Sequence, residues 1–210
     1  HSIVENIDHE ELSSLLMGEL NKQFNNRLAM ALQIFNGTYP KRFLHQLVSS
    51  QLDVDRLDYL SRDSFFSGVA EGMIGLERLI KMLNVSDGEL VVEAKAIYST
   101  EKFLISRHLM YWQVYLHKTV VSAEQLLIKI LQRAKELARK GEKLFASPSL
   151  SFFLNRAINI EEFRCVDASP DCPLEHFAQL TDSDVDCAIS VWAKHSDRIL
   201  SALCQSLLSR

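Results

Sequence analysis

The sequence predicts an all-α fold carrying one small β-hairpin, and three observations lead there. Glycine and proline are scarce, at 7 and 4 in 210 residues, so few breakers interrupt long segments. Apolar residues recur at helical spacing along most of the chain. One stretch, residues 79–95, departs from that period and sets β-branched residues beside a turn signal.

Asp8 followed by Glu11 opens the first helix, with an N-cap carboxylate and an acid three residues on. Leu12, Leu15, Leu16 and Leu20 then repeat on one side. A second helix, from about Asn26 to Phe35, stops at Asn36-Gly37, with Pro40 beyond. A third runs from about Lys41 to Ser50, and a fourth follows to about Phe66. After Gly75, LIKMLNV and ELVVEAK flank Ser86-Asp87-Gly88 as two short strands, although the first reads equally as a helix end. From Tyr98 to about Lys140 the pattern is two helices broken near Lys118 to Ser122. Ser147-Pro148 opens a short helix, and CVDASPDCPLE at 165–175 is a loop. Thr181 with Asp184 caps the next helix, whose buried side holds Trp192, and Ser196 caps the last.

With 47% hydrophobic and 24% charged residues, the chain can build one sizeable core. A net charge of -4 argues against general nucleic-acid binding but leaves room for a local basic pocket. No apolar run approaches the roughly 18–20 residues of a membrane span, and no signal peptide is visible. Cys165, Cys172, Cys187 and Cys204 are widely spaced, which predicts reduced thiols in a cytoplasmic protein. The chain starts without Met and stops within the helical pattern ILSALCQSLLSR, so a fragment of something longer is expected.

The stretch QLDVDRLDYLSRD, residues 51–63, carries six charges in thirteen positions. On an ideal helix of about 100° per residue, Asp55, Arg56, Tyr59 and Asp63 share one face, while Asp53, Asp58 and Arg62 point elsewhere. A carboxylate is a hard oxygen ligand for a divalent cation, a guanidinium forks onto phosphate oxygens, and a phenol stacks or donates. On pattern alone, an intrahelical network pairing Arg56 with Asp63, or Asp55 with Tyr59, accounts for the same residues. In SRHLMYWQVYLHK, Arg107, Tyr111, Tyr115 and Lys118 also share a helical face, a cation and aromatic stripe suited to a triphosphate and a base. Trp112 and His117 read as core-facing.

DVDRLDYLSRD closely resembles the last metal-ligand motif of HD-superfamily deoxynucleoside triphosphate triphosphohydrolases, the dGTPase-like phosphohydrolases. The resemblance implies an HD-domain-like helical fold, with residues 1–145 forming the C-terminal part of the phosphohydrolase domain and 146–210 a helical region packed on it. It implies Asp55 as a metal ligand, Arg56 as a phosphate contact, Tyr59 beside sugar and phosphate, and Asp63 receiving the sugar 3′-hydroxyl. His9, in the His9-Glu10 pair, would be an active-site residue assisting proton transfer. Arg107, Tyr111, Tyr115 and Lys118 would complete the substrate contacts. Tyr111 stands where some relatives have His, and Leu116 replaces a polar residue, which bears on base choice.

The family's upstream His, its His-Asp pair and its H-x-x-x-x-H segment would all precede His1. The divalent metal, whether Mg, Mn, Fe or Zn, then belongs to an intact parent, and the isolated chain is expected to be inactive. A homo-oligomer is implied by the resemblance alone. Two other readings stay open: an HD phosphohydrolase for another phosphate ester, and a helical nucleotide-binding or assembly module without turnover.

Overall fold

The computed structural model describes residues 8–164 and 171–209. It is helical apart from one two-stranded antiparallel hairpin, as the sequence predicts. Two compact units form. A terminal unit comprises His1–Leu20 with Ser122–Arg210, and a central unit comprises Asn21–Val121. These units cut the chain elsewhere than the division at residue 145, which concerns organisation within a family domain.

Helix α1 (His9–Gln23) begins where Asp8 accepts from the Glu10 amide. In the terminal unit its Leu12, Leu15 and Leu16 pack on Phe152, Phe153, Phe163 and Leu174. In the central unit, α2 (Ala29–Phe35) starts later than expected, because Asn25 and Asn26 sit at positive φ in the preceding turn. Helix α3 (Arg42–Val48) ends before Ser50, and α4 (Val54–Ser67) carries most of the charged stretch. Leu57, Leu60 and Ser64 form its buried stripe and meet Leu79, Phe103 and Met110 nearby. The first half of the expected first strand is instead α5 (Leu76–Lys81).

Strands β1 (Leu83–Ser86) and β2 (Glu89–Val92) pair with Ser86 opposite Glu89. Asp87 and Gly88 between them have φ of 52° and 81°, the two-residue turn that matches strand twist. Gln46 of α3 pins the hairpin, donating to Glu89 at 2.6 Å and accepting from the Leu90 amide at 2.7 Å. Helix α6 (Ile97–Met110) then runs into a π-helical turn, Tyr111–Tyr115. Close packing joins α4 to α6 at Gly72, where a Cβ would lie 2.7 Å from Ser64 Cβ and 2.8 Å from Met110 Sδ.

Helix α7 (Lys118–Arg139) starts at the first residue of the predicted break, which falls at Leu116 and His117 instead. Its C-terminal half lines a core with Leu150, Leu154, Ile189, Trp192 and Leu200 in the terminal unit. Ser147 caps α8 (Pro148–Asn155), and α9 (Ile160–Phe163) and α10 (Pro173–Gln179) follow. Thr181 and Asp184 form the expected capping box on α11 (Asp182–Trp192), with Trp192 buried. The cap of α12 (Arg198–Leu208) is Asp197 rather than Ser196. Its carboxylate accepts from the Leu200 amide at 2.8 Å and also binds Arg133, two roles a serine hydroxyl could not combine.

Two further expectations are corrected. Cys172 is disulfide-bonded, whereas Cys187 and Cys204 are free. A compartment rule says nothing of local proximity, and Cys172 is buried beside a loop. Most of that loop, residues 165–170 with Cys165, lies outside the described residues. Trp112 is 71% exposed and His117 is exposed too, because the π turn rotates these positions off the core-facing side. No helix among the described residues is long and apolar enough to cross a membrane.

Candidate functional site

The candidate site is built on α4, α6 and the π turn of the central unit. Asp53 is the N-cap of α4 and is only 3% exposed. Its carboxylate accepts from the Arg56 amide at 2.8 Å and the Ser50 amide at 3.2 Å, which fixes where the helix begins. The Arg56 guanidinium folds back onto the same carboxylate and onto the Ser50 carbonyl. Its partner is therefore Asp53 and not Asp63. Asp58 and Arg62 pair at 2.9 Å on a solvent-exposed face, as their helical positions require. That bond holds the Asp58 carboxyl below its usual range.

Asp63 and Tyr59, one helical turn apart, face the π turn. Tyr115 donates its hydroxyl proton to Asp63 Oδ2 at 2.7 Å, across 52 residues of sequence. The Tyr115 ring meets Tyr59 edge to face at 5.9 Å between centroids and Tyr111 at 5.1 Å. The π register produces this clustering. The Leu116 amide bonds back to the Tyr111 carbonyl, five residues earlier, at 2.8 Å, and the extra residue per turn brings both tyrosines toward α4. Arg107 lies over the Tyr111 ring at 5.7 Å from its centroid, within cation–π range, and donates to Gln51 Oε1 at 3.1 Å.

The titration behaviour follows from this packing. Burial raises the Tyr59 phenol, with Tyr111 adding to the effect while Arg107 and Arg56 oppose it. Burial also raises Tyr115, and its bond to Asp63 raises it further because ionisation would destroy that bond. Burial pulls Arg107 down, but the Tyr111 and Tyr59 phenols outweigh it, so the guanidinium holds its proton more tightly than usual.

The structure thus brings Tyr59, Asp63, Arg107, Tyr111 and Tyr115 together. Within the central unit it leaves Asp55 and Lys118 out of that cluster. Asp55 is exposed in the first turn of α4. Lys118 is exposed and starts α7, so it does not continue the face of Arg107 and Tyr111; the helix breaks at Leu116 and His117. His9 belongs to the terminal unit, at the start of α1, with Nδ1 3.2 Å from Asp8 Oδ1. Gln51 was missed by the sequence reading, since a lone glutamine ahead of a helix carries no signal of its distant partner.

A divalent metal is implied by the family resemblance. A lone exposed carboxylate does not make a centre for a hard cation, which takes several oxygen ligands. No three His, Cys, Asp or Glu side chains among the described residues come together as a candidate group. The described residues therefore do not fit a complete metal site on their own.

The fold is similar to that of a solved phosphohydrolase, and one stretch of the sequence matches an HD-associated family. Residues 74–146 match the family described as the HD associated region. A crystal structure of a phosphohydrolase from Bacteroides thetaiotaomicron VPI-5482 superposes with a TM-score of 0.93 at 57% identity, covering 99% of this chain and 51% of that one. The uncharacterized protein YwfO of Bacillus subtilis is 33% identical over 178 residues, which is 85% of this chain and 38% of that protein. A deoxynucleoside triphosphate triphosphohydrolase SAMHD1 homolog of Dictyostelium discoideum is 27% identical over 107 residues, covering 50% of this chain and 21% of the homolog. The chain spans about half the length of the solved phosphohydrolase and less of the other two. It is related to HD-superfamily phosphohydrolases.

Proposed function

We propose that the central unit is the nucleotide-binding part of a phosphohydrolase that converts deoxynucleoside triphosphates to deoxynucleoside and inorganic triphosphate. One observation carries this reading. Tyr59, Asp63, Arg107, Tyr111 and Tyr115, drawn from two distant stretches of sequence, meet in one cluster containing a guanidinium, aromatic faces and a carboxylate. Arg107 offers phosphate oxygens a forked cation. The tyrosine rings offer a sugar or base an apolar wall. Asp63 has its Oδ2 occupied by Tyr115, yet a carboxylate has about four acceptor positions and can take the 3′-hydroxyl as well. In the overall reaction water adds at the α-phosphorus, the bond to the 5′-oxygen breaks, and the nucleoside leaves with a proton on that oxygen. These residues bind and orient the substrate; the metal that such chemistry calls for needs ligands beyond Asp55.

A nucleotide-binding module without turnover is the second reading, since Tyr59, Asp63 and Arg107 can hold a nucleotide whether or not a metal completes the site. Calorimetric titration of the 210-residue chain with deoxynucleoside triphosphates tests what both readings share. Wild type binds, Tyr59→Ala and Arg107→Ala each lose about 1–3 kcal/mol, and Arg62→Ala binds as wild type. Absence of binding, or binding indifferent to Tyr59 and Arg107, overturns the assignment. Assaying triphosphate release with Mg²⁺, Mn²⁺ or Fe²⁺ by a parent protein that carries this chain together with further metal ligands then separates the two, turnover excluding the module.

A further inference from the structure

The arginines of the α4–α6 region are treated differently by their surroundings. Arg56 is matched by Asp53 and Arg62 by Asp58, so each cation is offset by a carboxylate on its own helix or cap. Arg107 is held by neutral groups. Gln51 Oε1 accepts from its Nη1 at 3.1 Å, and the Tyr111 ring lies beneath its guanidinium. Among the described residues, no ion pair includes Arg107.

The geometry points to Gln51 as a positioning residue that aims Arg107 at the phosphates without neutralising it, an inference that rests on the nucleotide reading above. An amide oxygen and a carboxylate oxygen accept the same hydrogen bond at about the same reach. They differ in what remains for a ligand. A carboxylate satisfies the guanidinium and competes with an incoming phosphate for the same fork, whereas an amide fixes one N–H and leaves the full positive charge uncompensated. The contact spans 56 residues of sequence, joining the segment before α4 to the last turn of α6. It therefore sets the side chain relative to Tyr59 and Asp63, which that same segment leads into. Gln51 is exposed, so a change there removes little packing.

The test uses inorganic triphosphate and the 210-residue chain, with Gln51→Glu and Gln51→Ala compared at low and moderate salt. Gln51→Ala loses aim but keeps charge, and weakens triphosphate binding about threefold or less. Gln51→Glu keeps the contact but quenches the charge, and weakens binding at least about tenfold, a gap that narrows as salt screens it. Thermal melting of both variants stays near wild type, which a merely structural role would not combine with this ordering. Equal effects of the two substitutions, or none, overturn the role of Gln51 while leaving the nucleotide reading intact. Failure of wild type itself to bind triphosphate overturns both.

Discussion

Replacing Tyr115 by Phe removes one oxygen and keeps the ring that packs on Tyr59 and Tyr111. It isolates the hydroxyl bond to Asp63. A bond to a charged acceptor contributes about 1.5–3 kcal/mol when shielded from water. Both partners here are half-buried, so water recovers part of the loss, and about 1–1.5 kcal/mol is expected. For a chain of this size that lowers Tm by about 2–5 °C at neutral pH. A pH signature accompanies it. Burial first, and the Asp63 bond second, raise the Tyr115 phenol above its ordinary value of 10.0. The fold thus retains a proton that the unfolded chain releases. The stabilisation is complete below pH 10, and it declines as the pH climbs from there toward the folded value. Melting curves from pH 7 to 11, followed by near-ultraviolet circular dichroism, should show wild type losing its advantage over Tyr115→Phe on the alkaline side. Tyr59, also raised, leaves both proteins a residual slope. Equal Tm values at pH 7 together with parallel alkaline limbs would refute the hydrogen bond as a stabilising contact.

Gly72→Ala forces a methyl to within 2.7 Å of Ser64 Cβ and 2.8 Å of Met110 Sδ, and should cost about 1–3 kcal/mol in urea unfolding. Asp58→Ala, which breaks only an exposed i,i+4 pair, should leave nucleotide binding unchanged in the same titrations that detect Arg107→Ala. The Arg133 bond, followed by the Leu200 amide, lowers the Asp197 carboxyl from 3.8 to about 2. A depressed carboxyl stabilises the fold above pH 3.8 and stops doing so as pH falls through about 2. Acid unfolding of Asp197→Asn should therefore begin from a lower plateau and show a shallower limb over that window. Identical acid limbs would remove Asp197 from the account of α12.

Helices with caps and apolar stripes written in consecutive residues were legible. The capping box at Thr181, the proline start of α8 and the hairpin turn at Asp87-Gly88 all depend on neighbours within a few positions. The outward pointing of Asp58 and Arg62 was legible for the same reason. Contacts that close across distance were not. Nothing in SRHLMYWQVYLHK announces a π register, so an ideal α-helix put Lys118 beside Arg107 and turned Trp112 inward. An ideal helix through residues 52–63 offers Arg56 either a phosphate or Asp63, whereas the helix starts after Asp53, which is both its cap and the arginine's partner. The pattern offers Asp63 Arg56 on its own helix as the alternative to a sugar hydroxyl, while its hydrogen-bonding partner is Tyr115, 52 residues away.

The central claim, that Asp63 and its tyrosine neighbours form a nucleotide site that reads the sugar, is tested most directly by one comparison. A deoxynucleoside triphosphate and its 2′,3′-dideoxy counterpart are titrated against wild type and Asp63→Asn. A carboxylate already committed to Tyr115 on one side and offered to the 3′-hydroxyl on the other is left underpaired when that hydroxyl is missing. Wild type should bind the dideoxy compound at least about tenfold more weakly, a loss of about 1.4 kcal/mol, and Asp63→Asn should narrow that gap. Equal affinity of wild type for the two nucleotides would contradict the claim and reduce Asp63 to a hydrogen-bond partner of Tyr115.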